Sequence, residues 1–320
     1  MRIGVFTALY QAYPFEAALD KAVAAGVTAV EIGVGGYGTP AHCPVSELLE
    51  SGDKRRAYMK AIMSRGLILS ALSTHNNPLA PDKAAARRSD EEYRRALKLA
   101  QLLEVPVVNT FSGCPGGTPE DKGINWITCP WPTEFSDMLR YQWEDVAIPY
   151  WREANKVAEA HGIRVALEMH PGMLVYNVYT LLRLREARGP MIGANFDPSH
   201  LFWNGVDPVA AIRKLGPAIF HMHGKDVYVD PINTSVNGCM DNKPYTGILE
   251  RSWTFRTIGY GHDVKVWKDI ASALRLIGYD YVISIEHEDG LMSNDEGLRK
   301  AVAALTEACI VEQPGEMYWA

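Results

Sequence analysis

Thiols are few and scattered in this chain: Cys43, Cys114, Cys129, Cys239 and Cys309 are an odd number, with no Cys-x-x-Cys pair among them. That argues against a disulfide framework and against a thiolate zinc site. Reduced thiols in a cytoplasm are the natural expectation. An excess of either charge is missing too, with 32 Lys and Arg against 38 Asp and Glu and no basic run. A phosphate backbone needs a basic footprint, so no nucleic-acid partner is expected. No apolar stretch approaches the roughly 18 residues that span a bilayer, and Met1-Arg2-Ile3-Gly4-Val5-Phe6 enters a strand-like run without a signal-peptide pattern. A soluble, cytoplasmic protein without a membrane partner is expected. Finally, Gly113-Cys114-Pro115-Gly116-Gly117 lacks the Lys-Ser/Thr of a phosphate-binding loop, which removes the case for a nucleotide.

What is present is a recurring unit: an amphipathic stretch, a glycine, then a short apolar run. It occurs around Gly26, Gly66, Gly162, Gly216 and Gly278. A glycine ends a helix because it takes the left-handed conformation without a Cβ clash. The runs that follow are rich in Val and Ile, as buried parallel strands are. The runs at 2–7, 105–111 and 192–197 complete a set of eight. Eight strands alternating with helices imply a single (β/α)₈ TIM barrel over residues 1–320, with a doubly wound open sheet as the structural alternative. The helices carry their own signals. Ser89 and Glu92 are spaced as a capping box before Tyr93, Ala96 and Leu97, as are Ser293 and Glu296 before Leu298 and Ala301. Phe15, Ala18, Leu19, Ala22 and Val23 form an apolar stripe. Two connections, 112–135 after the fourth strand and 224–262 after the seventh, are too long for plain barrel loops. Both leave the strand ends where barrel active sites form, which points to a role at the pocket.

Those strand ends concentrate the chemistry. The fifth strand ends in Glu168-Met169-His170, and the sixth in Asp197-Pro198-Ser199-His200. The seventh ends in His221-Met222-His223-Gly224-Lys225-Asp226, and the eighth in Glu286-His287-Glu288-Asp289. Each alone has a bland explanation, such as a helix cap for Asp197, a rim salt bridge for Glu286 or a packed core residue for His221. Together they crowd like charges at one mouth, which repel unless a cation sits among them. Three carboxylates and one imidazole are a hard ligand set, suited to Mn²⁺ or Mg²⁺ with Co²⁺ as an admissible substitute, and unlike structural zinc. A metal there polarises a carbonyl while flanking carboxylates move protons.

The series Glu168, Asp197-x-x-His200, His221-x-His223 and Glu286 resembles the xylose isomerase-like TIM-barrel superfamily, the sugar phosphate isomerase/epimerase group. The resemblance extends over nearly the whole chain. It implies metal ligation by Glu168, Asp197, His223 and Glu286, and in the epimerase branch it makes Glu168 and Glu286 the acid/base pair. It also implies that His200 holds a substrate hydroxyl and that His221 is a supporting or packed residue. Weaker candidates for substrate binding are His75, His170, Lys225 and Arg256. Asp226 suits a salt bridge, Glu31 a hydrogen bond at the rim, and Trp126, Trp131 and Trp203 stacking on a sugar or a subunit interface.

The function so implied is a divalent-metal-dependent isomerase or epimerase of a sugar or cyclitol, working through an enediolate. The alternative is a lyase or dehydratase acting on an inosose or a 3-oxo-glycoside, resembling the C-glycoside deglycosidases. His170-Pro171 after the glutamate and the long seventh connection are the departures that keep it open. An endonuclease IV-like enzyme is a remote third reading. The fourth strand ends in Asn109-Thr110-Phe111 without a histidine, and Val227-Tyr228 follows Asp226 where the nuclease pattern has another. A non-catalytic binding module on a degenerate barrel is set aside by the intact ligand set. The expected partner is a small carbohydrate, and aromatic loops with the C-terminal Glu316–Ala320 segment suggest a homodimer.

Overall fold

The computed structural model describes residues 1–37 and 40–319; Ala320, the last residue of the C-terminal segment noted above, lies outside them. Among the described residues ten strands occur in chain order: β1 (Arg2–Phe6), β2 (Ala29–Gly36), β3 (Ile68–His75), β4 (Val107–Thr110), β5 (Arg164–Glu168), β6 (Ile192–Phe196), β7 (Ile219–Gly224), β8 (Asp226–Val229), β9 (Trp253–Arg256) and β10 (Val282–Ile285). Eight of them close into a barrel in the order β1-β10-β7-β6-β5-β4-β3-β2. Neighbouring barrel strands are parallel throughout. The expected (β/α)₈ architecture is therefore present.

Alternation along each strand decides what faces where. Val30 and Ile32, Val165 and Leu167, Ala194 and Phe196, Met222, and Ile283 and Ile285 join the apolar core that also takes in helix residues such as Leu19, Leu97 and Trp267. Their sequence neighbours point the other way, into the barrel. There a small apolar cluster of Ala71, Val107, Ala166 and Phe220 forms the base. Above it Glu31, Asn109, Asn195, His221 and His223 are all fully buried. The apolar half of each strand holds the barrel to its helices, and the polar half furnishes its upper interior.

Gly162 ends the helix Ile148–His161 in the left-handed region at φ 68°, as the glycine pattern requires. One capping expectation is corrected. Residues Lys83–Leu102 form one continuous helix capped by Asp82, whose carboxylate accepts from the Ala84 and Ala85 amides. Ser89 is thus interior to the helix. Glu92 instead reaches across to accept from the Gly36 amide at 2.9 Å. Ser293 does cap its helix, accepting from the Glu296 amide, while the Glu296 carboxylate pairs with Lys300.

The two long connections are built differently. The one after β4 has no regular element until the helix Thr133–Arg140. It is pinned by Asn77, which bonds both the carbonyl and the amide of Cys114 at 2.9 Å, and by Trp151, whose indole donates to the Ser112 carbonyl at 3.0 Å. The one after β7 contains structure that the sequence pattern did not reveal: β8 and β9 pair antiparallel, with the helix Pro231–Asn237 between them. Asp226 fastens this extension to the barrel. Its carboxylate accepts from the amides of Gly259 and His262 and pairs with the His262 ring at 2.8 Å.

Candidate metal centre

Glu168 closes β5, Asp197 follows β6, His223 lies on β7 and Glu286 follows β10. These four strands are adjacent in the barrel order, so their inward side chains meet at its C-terminal mouth. One donor atom from each lies within 4.8 Å of the others. His223 Nδ1 is 3.2 Å from Glu168 Oε2 and 3.1 Å from Glu286 Oε2. Asp197 uses Oδ1 to cap the helix Pro198–Trp203, accepting from the Ser199 amide at 2.8 Å. Its other oxygen faces the cluster.

The unsatisfied atoms are the informative ones. Asp197 Oδ2, Glu286 Oε2 and His223 Nδ1 are buried and make no aligned hydrogen bond, although the Lys225 ammonium lies 3.2 Å from Glu286 Oε2. They crowd at contact distance without hydrogen-bond alignment. Buried polar atoms are nearly always satisfied, so three orphans converging from three strands fit a divalent cation. The donors are oxygen-rich, which matches Mn²⁺ or Mg²⁺ chemistry.

Without a cation the charges shift one another. Burial alone would push the Glu168 carboxyl up, but the His223 and His75 rings outweigh it and hold it well below the usual range. Burial likewise opposes ionisation of Glu286, yet Lys225 and His223 bring its pKa down to about 2. Burial raises Asp197, with His200 and Lys225 offsetting only part of the effect. For His223, burial disfavours the imidazolium, but Glu31, Glu286 and Glu168 together raise its pKa well above the ordinary value. A proton on His223 thus stands where the cation would.

A cavity of about 870 Å³ opens onto this cluster, lined by Glu168 and Glu286 together with His75, His170, Lys225, Glu288 and the rings of Phe6, Phe111 and Phe255. The model of a known family, described as Xylose isomerase-like TIM barrel, matches residues 19–308. The chain belongs to the xylose isomerase-like TIM barrel family. Among relatives in this family is YfiH of Bacillus subtilis (strain 168), itself an uncharacterized protein, 43% identical over 297 residues that cover 92% of this chain and 95% of that one. Inosose dehydratase 1 of Bacillus cereus is 28% identical over 81 residues, 25% of this chain and 27% of that one. The solved L-ribulose 3-epimerase shares the fold at a TM-score of 0.63 and 18% identity, covering 96% of this chain and 95% of that one.

Within this family barrel, the structure brings most of the sequence-derived candidates together. His75 Nε2 stands 3.1 Å from Glu168 Oε2. His200 Nε2 lies 3.5 Å from both Glu168 Oε1 and Asp197 Oδ2. His170 is half-buried, its ring 4.3 Å from that of His200, and burial with the neighbouring His200 lowers its pKa to about 3. Lys225 is buried, 3.2 Å from Glu286 and 2.7 Å from Glu288, over the Phe255 ring. Arg256 does not join them. It pairs with Asp289 at 3.1 Å and lines a smaller adjoining cavity. Nor do the three tryptophans line the large cavity among the described residues. Trp203 stacks on Trp253, Trp126 packs edge-on to Tyr176, and Trp131 is exposed.

The sequence suggested a rim position for Glu31, but it is buried beneath the cluster. It takes hydrogen bonds from Ser73 and Asn109 and lies 3.1 Å from His223 Nε2. Asn195, which no sequence motif singled out, donates to Glu168 Oε2 at 3.2 Å. His221 is packed, its nitrogens facing Asn109, Asn195 and Ser70. Asn195 and His221 each lie two residues before a site residue, Asp197 and His223. The strand period was the available signal.

Proposed function

We propose that this chain is a divalent-metal-dependent enzyme that isomerises or epimerises a sugar or cyclitol by removing a proton from the carbon beside a carbonyl. The observation that carries the reading is the convergence of buried Glu168, Asp197 and His223 with half-buried Glu286, the last three of which each present a donor atom without an aligned hydrogen bond. In this reading Glu168, Asp197, His223 and Glu286 hold Mn²⁺ or Mg²⁺. When bound, such a cation would supply Lewis acidity to the substrate carbonyl. Glu168 and Glu286 carry the proton on and off carbon. They come from β5 and β10, which lie on either side of β7 in the barrel order, and both contact His223 Nδ1; in this reading one carboxylate serves each face of the substrate carbon. His75 and His200 border Glu168, and His170 borders His200 within the cavity wall; these three hold substrate hydroxyls. The aromatic walls exclude water from the carbanionic carbon.

One observation favours a second reading, a lyase or dehydratase acting on an inosose or 3-oxo-glycoside. The two carboxylates have different companions: Glu168 faces His75 and His200, whereas Glu286 faces the Lys225 ammonium. A base on one side and a cationic donor on the other suit removal of a proton followed by loss of an oxygen substituent. Incubating the Mn²⁺-loaded protein with ketoses, inososes and 3-oxo-glycosides in D₂O tests both. Deuterium at the carbon beside the carbonyl is expected. An epimer or ketose–aldose pair supports the first reading and an unsaturated ketone the second. No exchange with any of these classes overturns both.

A further inference from the structure

We infer an outer subsite in the large cavity, walled by Tyr37 and Tyr245, that seats a second ring joined to the reacting polyol. The substrate is then a two-ring, glycoside-like molecule and not a free monosaccharide or cyclitol. The inference rests on the reading above in one respect, that the reacting carbon sits between Glu168 and Glu286. It begins from size. The cavity of about 870 Å³ stands high in the roughly 300–1,000 Å³ range that encloses drug-sized ligands. One six-membered sugar ring leaves much of that space unfilled.

Two aromatic columns rise from the metal cluster into it. In the first, Phe111 packs against the His75 and His170 rings at 4.7 and 4.6 Å, and Tyr37 lies one ring further out, 6.3 Å from Phe111. In the second, Phe255 sits against His200 at 5.7 Å and under the Lys225 ammonium at 4.3 Å, with Tyr245 5.9 Å beyond it. Tyr37 follows β2 and Phe111 follows β4, the two neighbours of β3. In the closed order β3 stands opposite β7, and the segment after β7 carries Tyr245 and Phe255. The columns thus leave the barrel from opposite sides, and all four rings line one cavity.

The outer rings differ from the inner ones. Phe111 is 8% exposed, whereas Tyr37 and Tyr245 are 70% and 61% exposed. Both tyrosines are nevertheless held in place. The Tyr37 amide donates to the His75 carbonyl at 2.7 Å, beside Gly36, whose φ of 83° permits the turn. The Arg251 guanidinium lies 4.3 Å from the Tyr245 ring; Arg251 is itself buried and donates to the Trp253 carbonyl at 3.0 Å. Exposed rings already fixed on a cavity wall gain burial and aromatic contact from a flat apolar face at little ordering cost. An aromatic aglycone and the C–H face of a second pyranose share that chemistry. The carboxylates and imidazoles at the inner end take the hydroxyl-rich ring.

Affinity ratios test the subsite. Mn²⁺-loaded full-length protein is titrated by calorimetry with methyl β-D-glucopyranoside, phenyl β-D-glucopyranoside and cellobiose, and with the galactose and xylose counterparts. In at least one sugar series a two-ring ligand is expected to bind about tenfold tighter than the methyl glycoside. An advantage for the phenyl glycoside makes the second ring an aglycone, and one for the disaccharide makes it a sugar. Tyr37→Ala and Tyr245→Ala should each reduce the advantage, and the double variant should abolish it. Tyr37→Phe and Tyr245→Phe should keep it, because the ring and not the hydroxyl makes the contact. No two-ring advantage in any series overturns the subsite, as does one that survives both alanine substitutions or an absence of binding by every glycoside. Deuterium exchange with free ketoses and inososes reports separately on proton abstraction. Exchange without a two-ring advantage leaves the proposed reaction standing and the subsite overturned; the advantage without exchange does the reverse.

Discussion

His223 is held between carboxylates on both ring nitrogens: Nε2 lies 3.1 and 3.2 Å from the two oxygens of Glu31, and Nδ1 lies 3.2 Å from Glu168 and 3.1 Å from Glu286. A carboxylate at Nε2 requires a proton there, which leaves the Nδ1 lone pair for the cation. Partners of this kind orient metal-bound histidines and typically change affinity about 10–100-fold when removed. Glu31→Gln keeps the shape but offers an amide N–H that favours the opposite tautomer. We expect Mn²⁺ affinity to fall by that factor while the metal-free fold is retained, as calorimetric titration and circular dichroism would read. Wild-type affinity in this variant would remove Glu31 from the positioning role.

Proton release should accompany metal binding. In the cation-free protein His223 has its pKa raised well above the ordinary value: burial opposes this, but Glu31, Glu286 and Glu168 outweigh it. At neutral pH the ring is then doubly protonated, and a cation must displace the Nδ1 proton. Below the raised pKa, affinity rises with pH by about tenfold per unit for one proton released. Above it, the dependence levels off. Titrations in buffers of different ionisation enthalpy would count the proton, and a count of zero would exclude His223 Nδ1 as the ligand.

The barrel and its four converging strand ends were legible because an apolar strand that stops at an ionisable residue has an unmistakable pattern. The supporting layer was not. Glu31, Asn109 and Asn195 are single polar residues inside strands, and without the closed sheet nothing distinguishes an inward polar residue from one at the rim. Arg256 looked like a substrate-binding residue because its partner, Asp289, comes from a distant segment beyond β10. The Ser89–Glu92 spacing satisfied a capping rule inside a helix that Asp82 had already begun. Likewise β8 and β9 escaped notice, since Asp226–Val229 and Trp253–Arg256 are short and, as strands, pair with each other and not with the barrel. Local patterns revealed the elements, and long-range partners decided roles.

Barrel closure beneath the site predicts a sensitive position at Gly193. A Cβ there would fall 2.3 Å from the Ala218 carbonyl oxygen and 2.5 Å from the Phe220 ring. Backbone at that distance cannot yield without moving β6 against β7, which positions Asp197 against His223. Overpacking of this kind typically costs about 1–3 kcal/mol, and each kcal/mol lowers Tm by roughly 2–4 °C in a domain of this size class. Gly193→Ala should melt several degrees lower in the metal-free state. An unchanged Tm would show that β6 and β7 have room to separate at this level.

Glu286→Gln separates holding the cation from moving the proton. The amide oxygen still reaches toward His223 Nδ1, and repulsion with Glu168 is relieved, but the larger attraction of Lys225 and His223 that holds the Glu286 pKa down to about 2 is lost. The fold should therefore survive in the metal-free protein, at a lower Tm. Lys225 loses one of its two carboxylate partners but keeps Glu288 at 2.7 Å, so it stays anchored. Proton transfer is different: an amide cannot accept the proton from carbon. Removing one acid/base group typically slows such steps about 10²–10⁴-fold. Epimerisation requires both faces, so product formation should fall by that factor. Solvent deuterium exchange from the Glu168 face should persist in the metal-bound variant, provided Glu168 is the base. Full turnover with metal bound would refute the assignment of Glu286, and loss of exchange together with turnover would make Glu286 the initiating base in place of Glu168.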